Sequence, residues 1–194
     1  MKIILRVFIS LDHIHFVSVF IRDKDAADRR IDVIAALISM GGTLEDLKET
    51  ELCYAPVSGT AKDAVHMAAL VGLNLLDGRF HQVPVSSVRG LVESGAYIVD
   101  VREKGEYEAS HLKNAVNIPL SELRNRMGEI PKDCPVYLHC RSSQRSYNAI
   151  MALQQNGFDN VINIAGSYLG ICLYEYAQDV LECREKIVTT YNFN

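Results

Sequence analysis

The chain has 194 residues, of which 48% are hydrophobic and 23% charged, and its formal net charge is −4. This composition is typical of one globular domain or two small ones, and it excludes a largely disordered chain. No long basic stretch occurs, so neither nucleic acid nor an anionic membrane is expected as the main partner.

There are five cysteines, which is an odd number, and no two of them are spaced as C-x-x-C. A zinc site or a disulfide framework is therefore not expected, and no metal ligand is assigned. Free thiols are typical of a reducing compartment, so we predict a cytoplasmic protein.

The N-terminal 22 residues are strongly apolar, but Asp12, His13 and His15 interrupt them. No uninterrupted run approaches the ~20 residues that span a bilayer, so no membrane partner is expected. A signal peptide is the alternative, but its cleavage-site signal is weak. The pattern favours two short strands, "IILRVFI" and "HFVSVFI", separated by "SLDH".

Three helices are predicted next, in "DRRIDVIAALISM", "TLEDLKE" and "AKDAVHMAALVGLNLLDG". Thr43 and the acid three residues later form the pattern of a capping box at the start of the second. The third helix has only a narrow polar stripe, as expected for a helix buried on several sides. Residues 1–80, a small α+β segment, offer little to bury it, so we expect a subunit interface and a homodimer.

Residues 81–194 show a different pattern. "RFHQVPVSS" is interpreted as the junction, and after it helices alternate with the short apolar strands "YIVDV", "AVNIP", "PVYLHC" and "NVINIA". Such alternation predicts an α/β domain with a mostly parallel sheet and helices on both faces.

The segment "CRSSQRS" (140–146) carries the candidate chemistry, because Cys140 follows an apolar strand at the edge where α/β sheets bind ligands. The backbone N–H groups of residues 141–145, the start of the next helix, and the charges of Arg141 and Arg145 all favour a thiolate. A thiolate surrounded by donors is a nucleophile. The alternative is an inert core cysteine, because free cysteine is among the most buried residue types.

The residues after the cysteine are the candidate anion-binding residues. They are Arg141, Ser142, Ser143, Gln144, Arg145 and Ser146. Ser146 is open to a second interpretation, since its hydroxyl could instead cap the helix. His139 points to the opposite face of the strand and is expected to be packed or half-exposed rather than to act as a general base.

Asp100 and Arg102 also stand at a strand end. An acid there and an arginine in the following turn usually pair or cap to hold the fold, and Glu106 and His111 are interpreted in the same way. These four residues are therefore predicted to be structural; the alternatives are a catalytic role for Asp100 and Arg102, and a role for His111 in orienting the loop from an adjacent strand.

Two long stretches, "IVDVREKGEYEASHLKNAVNIP" and "YLHCRSSQRSYNAIMALQQNGFDNVINIAGSY", resemble a rhodanese domain over residues 81–178. The resemblance implies a sulfurtransferase in which Cys140 accepts a sulfane sulfur as a persulfide. The donor would be a small sulfur-containing anion such as thiosulfate, or an organic persulfide, and the acceptor a thiol or cyanide.

Two departures from the family pattern lie beside the cysteine. The family loop often reads C-R-x-G-x-R, and here Ser143 takes the glycine place; the "AGG" common after the last strand is "AGS", with Ser167. If position 143 needs a positive φ, a serine there is strained. Cysteine phosphatases use C-x(5)-R, whereas Arg145 comes five places after Cys140, which favours a ring sized for sulfur.

Residues 28–80 resemble the end of the dimerisation domain of flavin-dependent coenzyme A-disulfide reductases, some of which carry a C-terminal rhodanese domain. This implies a truncated dimerisation segment over residues 1–80, coenzyme A persulfide as a candidate substrate, and a match of Tyr54 to a redox-site tyrosine. No G-x-G-x-x-G occurs, so neither flavin nor NAD is expected, and Tyr54 is expected to pack. The alternative function is a dimeric rhodanese-like binding or regulatory module with little turnover, a remnant of such a reductase.

Overall fold

The structure is a computed structural model that describes residues 3–9, 14–21, 27–55, 57 and 61–193, and the predicted connection "SLDH" lies outside them. The chain divides into two compact units, of which the first ends at Arg79 and the second begins at Phe80. Within the described residues, no helix is long and apolar enough to cross a membrane.

The first unit has two antiparallel strands and three helices among its described residues. They are β1 (Ile3–Ile9), β2 (Ile14–Ile21), α1 (Ala27–Ser39), α2 (Leu44–Glu49) and α3 (Ala64–Leu76). The two strands and three helices predicted from the sequence are confirmed. A small core holds the helices together, formed by Ile34, Leu44, Leu47, Val65 and Ala69.

Side-chain caps fix where α3 begins. Asp63 accepts a hydrogen bond from the Val65 N–H, and its own N–H donates to Nδ1 of His66 at 3.0 Å. Nε2 of His66 therefore carries the proton and donates to the Thr50 carbonyl at 2.7 Å. Arg30 pairs with Asp63 at 2.7 Å. The helix thus starts three residues later than the sequence pattern indicates.

The second unit contains a five-stranded sheet, and all of its strand pairs are parallel. The spatial order is β3-β7-β6-β4-β5. The strands are β3 (His81–Val83), β4 (Tyr97–Asp100), β5 (Val116–Asn117), β6 (Val136–His139) and β7 (Val161–Ile164). The helices are α4 (Val88–Glu93), α5 (Lys104–Ala109), α6 (Leu123–Arg126), α7 (Gln144–Gln154) and α8 (Ser167–Glu182). The α/β fold class predicted from the sequence is confirmed.

One segment differs from its sequence interpretation. "RFHQVPVSS" is not simply a junction, because it contains the edge strand β3 and a turn of 3₁₀ helix over Val85–Ser87. β3 is three residues long and pairs only with β7. A strand this short, in a stretch without a continuous apolar run, carries almost no periodic signal.

A buried ion pair holds the end of β4. Asp100 and Arg102 are 0% and 1% exposed, and Nη2 of Arg102 lies 2.7 Å from Oδ2 of Asp100. The same nitrogen donates to the Ser110 carbonyl at 2.6 Å, and the guanidinium lies 4.1 Å from the ring centre of Tyr168. The pair therefore joins β4, the residue after α5, and α8, which confirms its predicted structural role.

Removing the arginine should cost much of the domain's stability. Arg102→Leu would leave the Asp100 carboxylate buried and uncompensated, so we expect the free energy of unfolding to fall by about 3–5 kcal/mol in urea denaturation. The matched control is Arg126→Leu, which removes an exposed pair with Glu129 and should change little. Equal losses in the two variants would contradict this role.

Candidate active site

Cys140 directly follows β6, the central strand of the sheet. Its carbonyl accepts a hydrogen bond from the Tyr168 N–H at 3.0 Å, and the Arg141 carbonyl accepts one from the Leu169 N–H at 3.1 Å. The first turn of α8 therefore fixes the start of the loop. Cys140 is 1% exposed, so the sulfur lies at the bottom of this loop rather than on the surface.

The surroundings of the Cys140 sulfur favour its ionised form. Burial alone would raise the pKa of this thiol, but the N–H groups of Ser146 and Ser142, with the hydroxyls of Ser146 and Ser167, outweigh burial and lower it below the usual cysteine value. The site therefore favours a thiolate. The sequence assigned the backbone donors to residues 141–145; of these the N–H of Ser142 is among the groups that lower this pKa, and the N–H of Ser146 lies just beyond the assigned range.

Ser143 has a left-handed backbone, with φ of +75°. An L-residue pays roughly 1–2 kcal/mol for this conformation, which is why glycine is favoured there. The requirement for a positive φ at this position is confirmed. Ser143 is the N-cap residue of α7, although its side chain makes no capping bond.

Ser146 is fully buried in the first turn of α7 and does not cap the helix. Its hydroxyl lies 2.8 Å from Oδ1 of Asn163 and 3.1 Å from the Ser143 carbonyl, and it also faces the Cys140 sulfur. Asn163, on β7, is thus a support for the loop that the sequence alone did not identify.

The two loop arginines differ in their partners. Arg145 forms a bidentate pair with Glu106, at 2.6 and 2.8 Å, which compensates its charge. This contact lowers the pKa of Glu106. Nη2 of Arg141 is buried and has no hydrogen-bond partner among the described residues. Arg141 is therefore the more available charge of the two for an anion in the loop.

The remaining candidate residues border the loop. Ser142 and Gln144 are exposed, and neither is enclosed with the sulfur as Ser146 is. Ser167, which the sequence did not assign to the site, contributes a hydroxyl 3.9 Å from the sulfur. It lies 27 residues along the chain from Cys140. Its only sequence signal is the serine in "AGS" where the family often has glycine.

His139 is fully buried, which is the packed arrangement of the two that the sequence left open. Its Nε2 lies 3.8 Å from Oδ2 of Asp100 and has no hydrogen-bond partner within the described residues. His111 packs against Tyr107, with ring centres 4.1 Å apart. The expectation for Tyr54 is wrong for the single chain, because this side chain is 56% exposed.

Residues 85–173 match the family model for the rhodanese-like domain. A sulfurtransferase of Allochromatium vinosum is 38% identical over 72 residues, which are 37% of this chain and 67% of that protein. The chain belongs to the rhodanese-like family. The uncharacterized protein YqhL of Bacillus subtilis is 45% identical to the rhodanese-like chain over 73 residues, or 38% of the chain. The match spans 58% of YqhL.

Two solved structures resemble the rhodanese-like domain and also part of the chain that precedes it. Reduced CoADR-RHD of Bacillus anthracis has a TM-score of 0.71 and 36% identity, over 78% of this chain and 29% of that one. The NAD-dependent persulfide reductase of A. fulgidus has a TM-score of 0.73 and 28% identity, over 87% of this chain and 30% of that one. The rhodanese-like chain therefore corresponds to about three tenths of each.

The buried histidine should make stability depend on pH. Burial lowers the pKa of His139, against the smaller opposing effects of Asp100 and the Cys140 carbonyl. Below about pH 6.5 the His139 imidazole is protonated in the unfolded chain but stays neutral in the folded one. The free energy of unfolding should therefore fall as the pH drops below about 6.5. Urea denaturation from about pH 5 to about pH 8 measures how the free energy of unfolding changes with pH, which is the slope in question.

The slope should flatten in His139→Gln and persist in His81→Gln, whose parent side chain is exposed. A wild-type slope in His139→Gln would contradict the assignment.

Proposed function

We propose that the rhodanese-like domain transfers sulfur through a persulfide on Cys140. The observation that carries this proposal is a buried cysteine whose pKa is held below its usual value, against the effect of burial, by nearby backbone N–H groups and serine hydroxyls, with Oγ of Ser167 3.9 Å from its sulfur. Sulfur chemistry requires the thiolate as the attacking species. Relatives that bear the name sulfurtransferase support the reaction class.

The proposed reaction has two displacements at sulfur. The Cys140 thiolate attacks the outer sulfur of thiosulfate, so that an S–S bond forms to the protein and the bond to sulfite breaks, with sulfite leaving as an anion. A thiol or cyanide then attacks the outer sulfur of the persulfide, and the Cys140 thiolate leaves with the electron pair. Each step conserves charge, and neither requires an added oxidant, metal or organic cofactor.

The donors around the sulfur match what these steps need. The same N–H groups that favour the thiolate can stabilise the anionic outer sulfur of the persulfide, as an oxyanion hole does for oxygen. Arg141 adds a positive charge for an anionic donor, whereas Arg145 donates its hydrogen bonds to Glu106.

The burial of Cys140 supports a further limit on the substrate. With the residue 1% exposed, a donor must present its sulfur on a narrow, protruding group. Thiosulfate and the terminal sulfur of a low-molecular-weight persulfide fit this description. The likeness of the chain to part of an NAD-dependent persulfide reductase supports organic persulfides, among them coenzyme A persulfide, as candidate substrates.

Replacing the nucleophile should abolish the sulfur adduct. After thiosulfate treatment, intact-mass spectrometry should show the mass of one added sulfur atom on the wild type and none on Cys140→Ser, and cyanide should then release thiocyanate. The control is Cys183→Ser, which removes an exposed cysteine and should keep the adduct.

An adduct that persists in Cys140→Ser would contradict the assignment of the nucleophile. Absence of any adduct with thiosulfate, a persulfide and a polysulfide would favour the second candidate, a binding module that holds an anion without turnover. The burial of Cys140 and the left-handed Ser143 are the observations in favour of that candidate.

We propose in addition that residues 1–80 form a dimerisation segment. Met67 and Val71 lie one helical turn apart on α3 and are 45% and 46% exposed, although the opposite side of the helix packs into the core of its unit. Side chains four residues apart share a helix face, so α3 presents an apolar surface to a second copy of the chain.

Charges on that surface should separate the copies. Sedimentation at micromolar concentration should show a dimer for the wild type and a monomer for Met67→Glu/Val71→Glu, because the interface would have to bury four carboxylates. Met40→Glu, at an exposed position after α1, is the control and should stay dimeric. A monomeric wild type would overturn the proposal.

A further inference from the structure

Two serines with left-handed backbones meet beside the Cys140 sulfur. Ser143, before α7, has φ of +75°, and Ser167, at the start of α8, has φ of +50°. Their hydroxyl oxygens are 3.1 Å apart. Both positions favour glycine because of their left-handed backbone. The presence of two serines whose hydroxyls are in contact therefore suggests that the hydroxyls have a function.

Ser167 is the serine in direct contact with the cysteine. It is fully buried, and its Oγ accepts a hydrogen bond from the Cys140 N–H at 3.2 Å. The same oxygen lies 3.9 Å from the Cys140 sulfur, within the range for a hydrogen bond to sulfur. The Ser143 hydroxyl has the Ser167 oxygen at 3.1 Å and the Ile164 carbonyl at 3.4 Å as its partners, so its link to the sulfur runs through Ser167.

The available donors and acceptors limit where the two hydroxyl protons can lie. Each hydroxyl has one proton and two acceptor positions. The Ile164 carbonyl is 3.4 Å from both oxygens, farther than the oxygens are from each other. If Ser143 donates to Ser167, the Ser167 oxygen has two donors, one from Ser143 and one from the Cys140 N–H. Its own proton is then free to turn toward the sulfur.

A charged sulfur would attract that proton. Hydrogen bonds to ionised acceptors are roughly twice as strong as those between neutral groups. The Ile164 carbonyl competes only as a long, neutral acceptor. Ionisation of Cys140 therefore favours the orientation in which Ser167 donates to the sulfur and Ser143 donates to Ser167.

We propose that Ser167 is a catalytic residue that donates a hydrogen bond to the Cys140 sulfur when that sulfur carries charge, and that Ser143 is a positioning residue that orients the Ser167 hydroxyl. This inference rests on the sulfur transfer proposed above. The Cys140 sulfur carries charge before it attacks the donor and again when it leaves from the persulfide. Because a lower leaving-group pKa speeds departure, the contact promotes release of sulfur to the acceptor.

A purely structural role predicts different results. If Ser167 served only to satisfy the Cys140 N–H, its removal would lower stability and leave the thiol titration unchanged. If only backbone strain mattered, alanine would resemble serine, because both keep Cβ at the left-handed position, and glycine alone would differ. A comparison of the alanine and glycine variants therefore separates the effect of losing the hydroxyl from the effect of relieving backbone strain.

The test measures the titration of Cys140 from the pH dependence of its alkylation, followed by mass spectrometry of the peptide that contains it. In Ser167→Ala and Ser167→Gly alike, we expect the midpoint to rise by roughly one pH unit. Release of sulfur from the preformed persulfide to cyanide should slow several-fold, up to the factor of about ten that one unit represents at equilibrium. Ser94→Ala, an exposed serine that donates to the Leu91 carbonyl, is the control.

The contribution of Ser143 is tested in a double-mutant cycle. Ser143→Ala should raise the midpoint by a smaller amount in the wild type and by nothing in the Ser167→Ala background. An equal shift in both backgrounds would overturn the positioning role, and an unchanged midpoint in both Ser167 variants would overturn the catalytic one. Persulfide formation on the wild type is measured separately by intact-mass spectrometry. A failure of the sulfur transfer itself can therefore be distinguished from a failure of the roles proposed for Ser143 and Ser167.

Discussion

The site is governed by the conflict between burying a thiol and ionising it. Cys140 is 1% exposed, and burial by itself favours the neutral form. Two backbone N–H groups and two serine hydroxyls oppose this effect, and together they prevail. The loop, the first turn of α7 and the start of α8 must therefore hold their positions closely, because the loss of any donor shifts the balance back toward an inert thiol.

A rigid layer of buried polar groups holds that geometry. The Asp100–Arg102 pair joins the end of β4 to α8 through the Tyr168 ring, and the N–H of Tyr168 binds the Cys140 carbonyl. His139 lies against the same carboxylate. The residues predicted to be structural are thus in contact with the elements that position Cys140, which ties domain stability to the geometry of the loop.

The sequence was sufficient for the parts of the molecule that depend on local patterns. The alternation of β4, β6 and β7 with helices, the cap at Thr43 and the nucleophile loop were all predicted from neighbouring residues. β3 was missed because three residues at a sheet edge show no periodicity. Ser167 and the Glu106–Arg145 pair were missed because the partners lie 27 and 39 residues apart, and only the folded chain brings them together.

We propose that this buried thiolate takes sulfur from a donor and keeps it as a persulfide. The most direct measurement is the release of sulfite when thiosulfate is mixed with the protein in the absence of any acceptor. The account predicts a rapid release of one equivalent of sulfite per chain, which then stops until cyanide or a thiol is added. No release of sulfite without an acceptor would contradict a persulfide on Cys140.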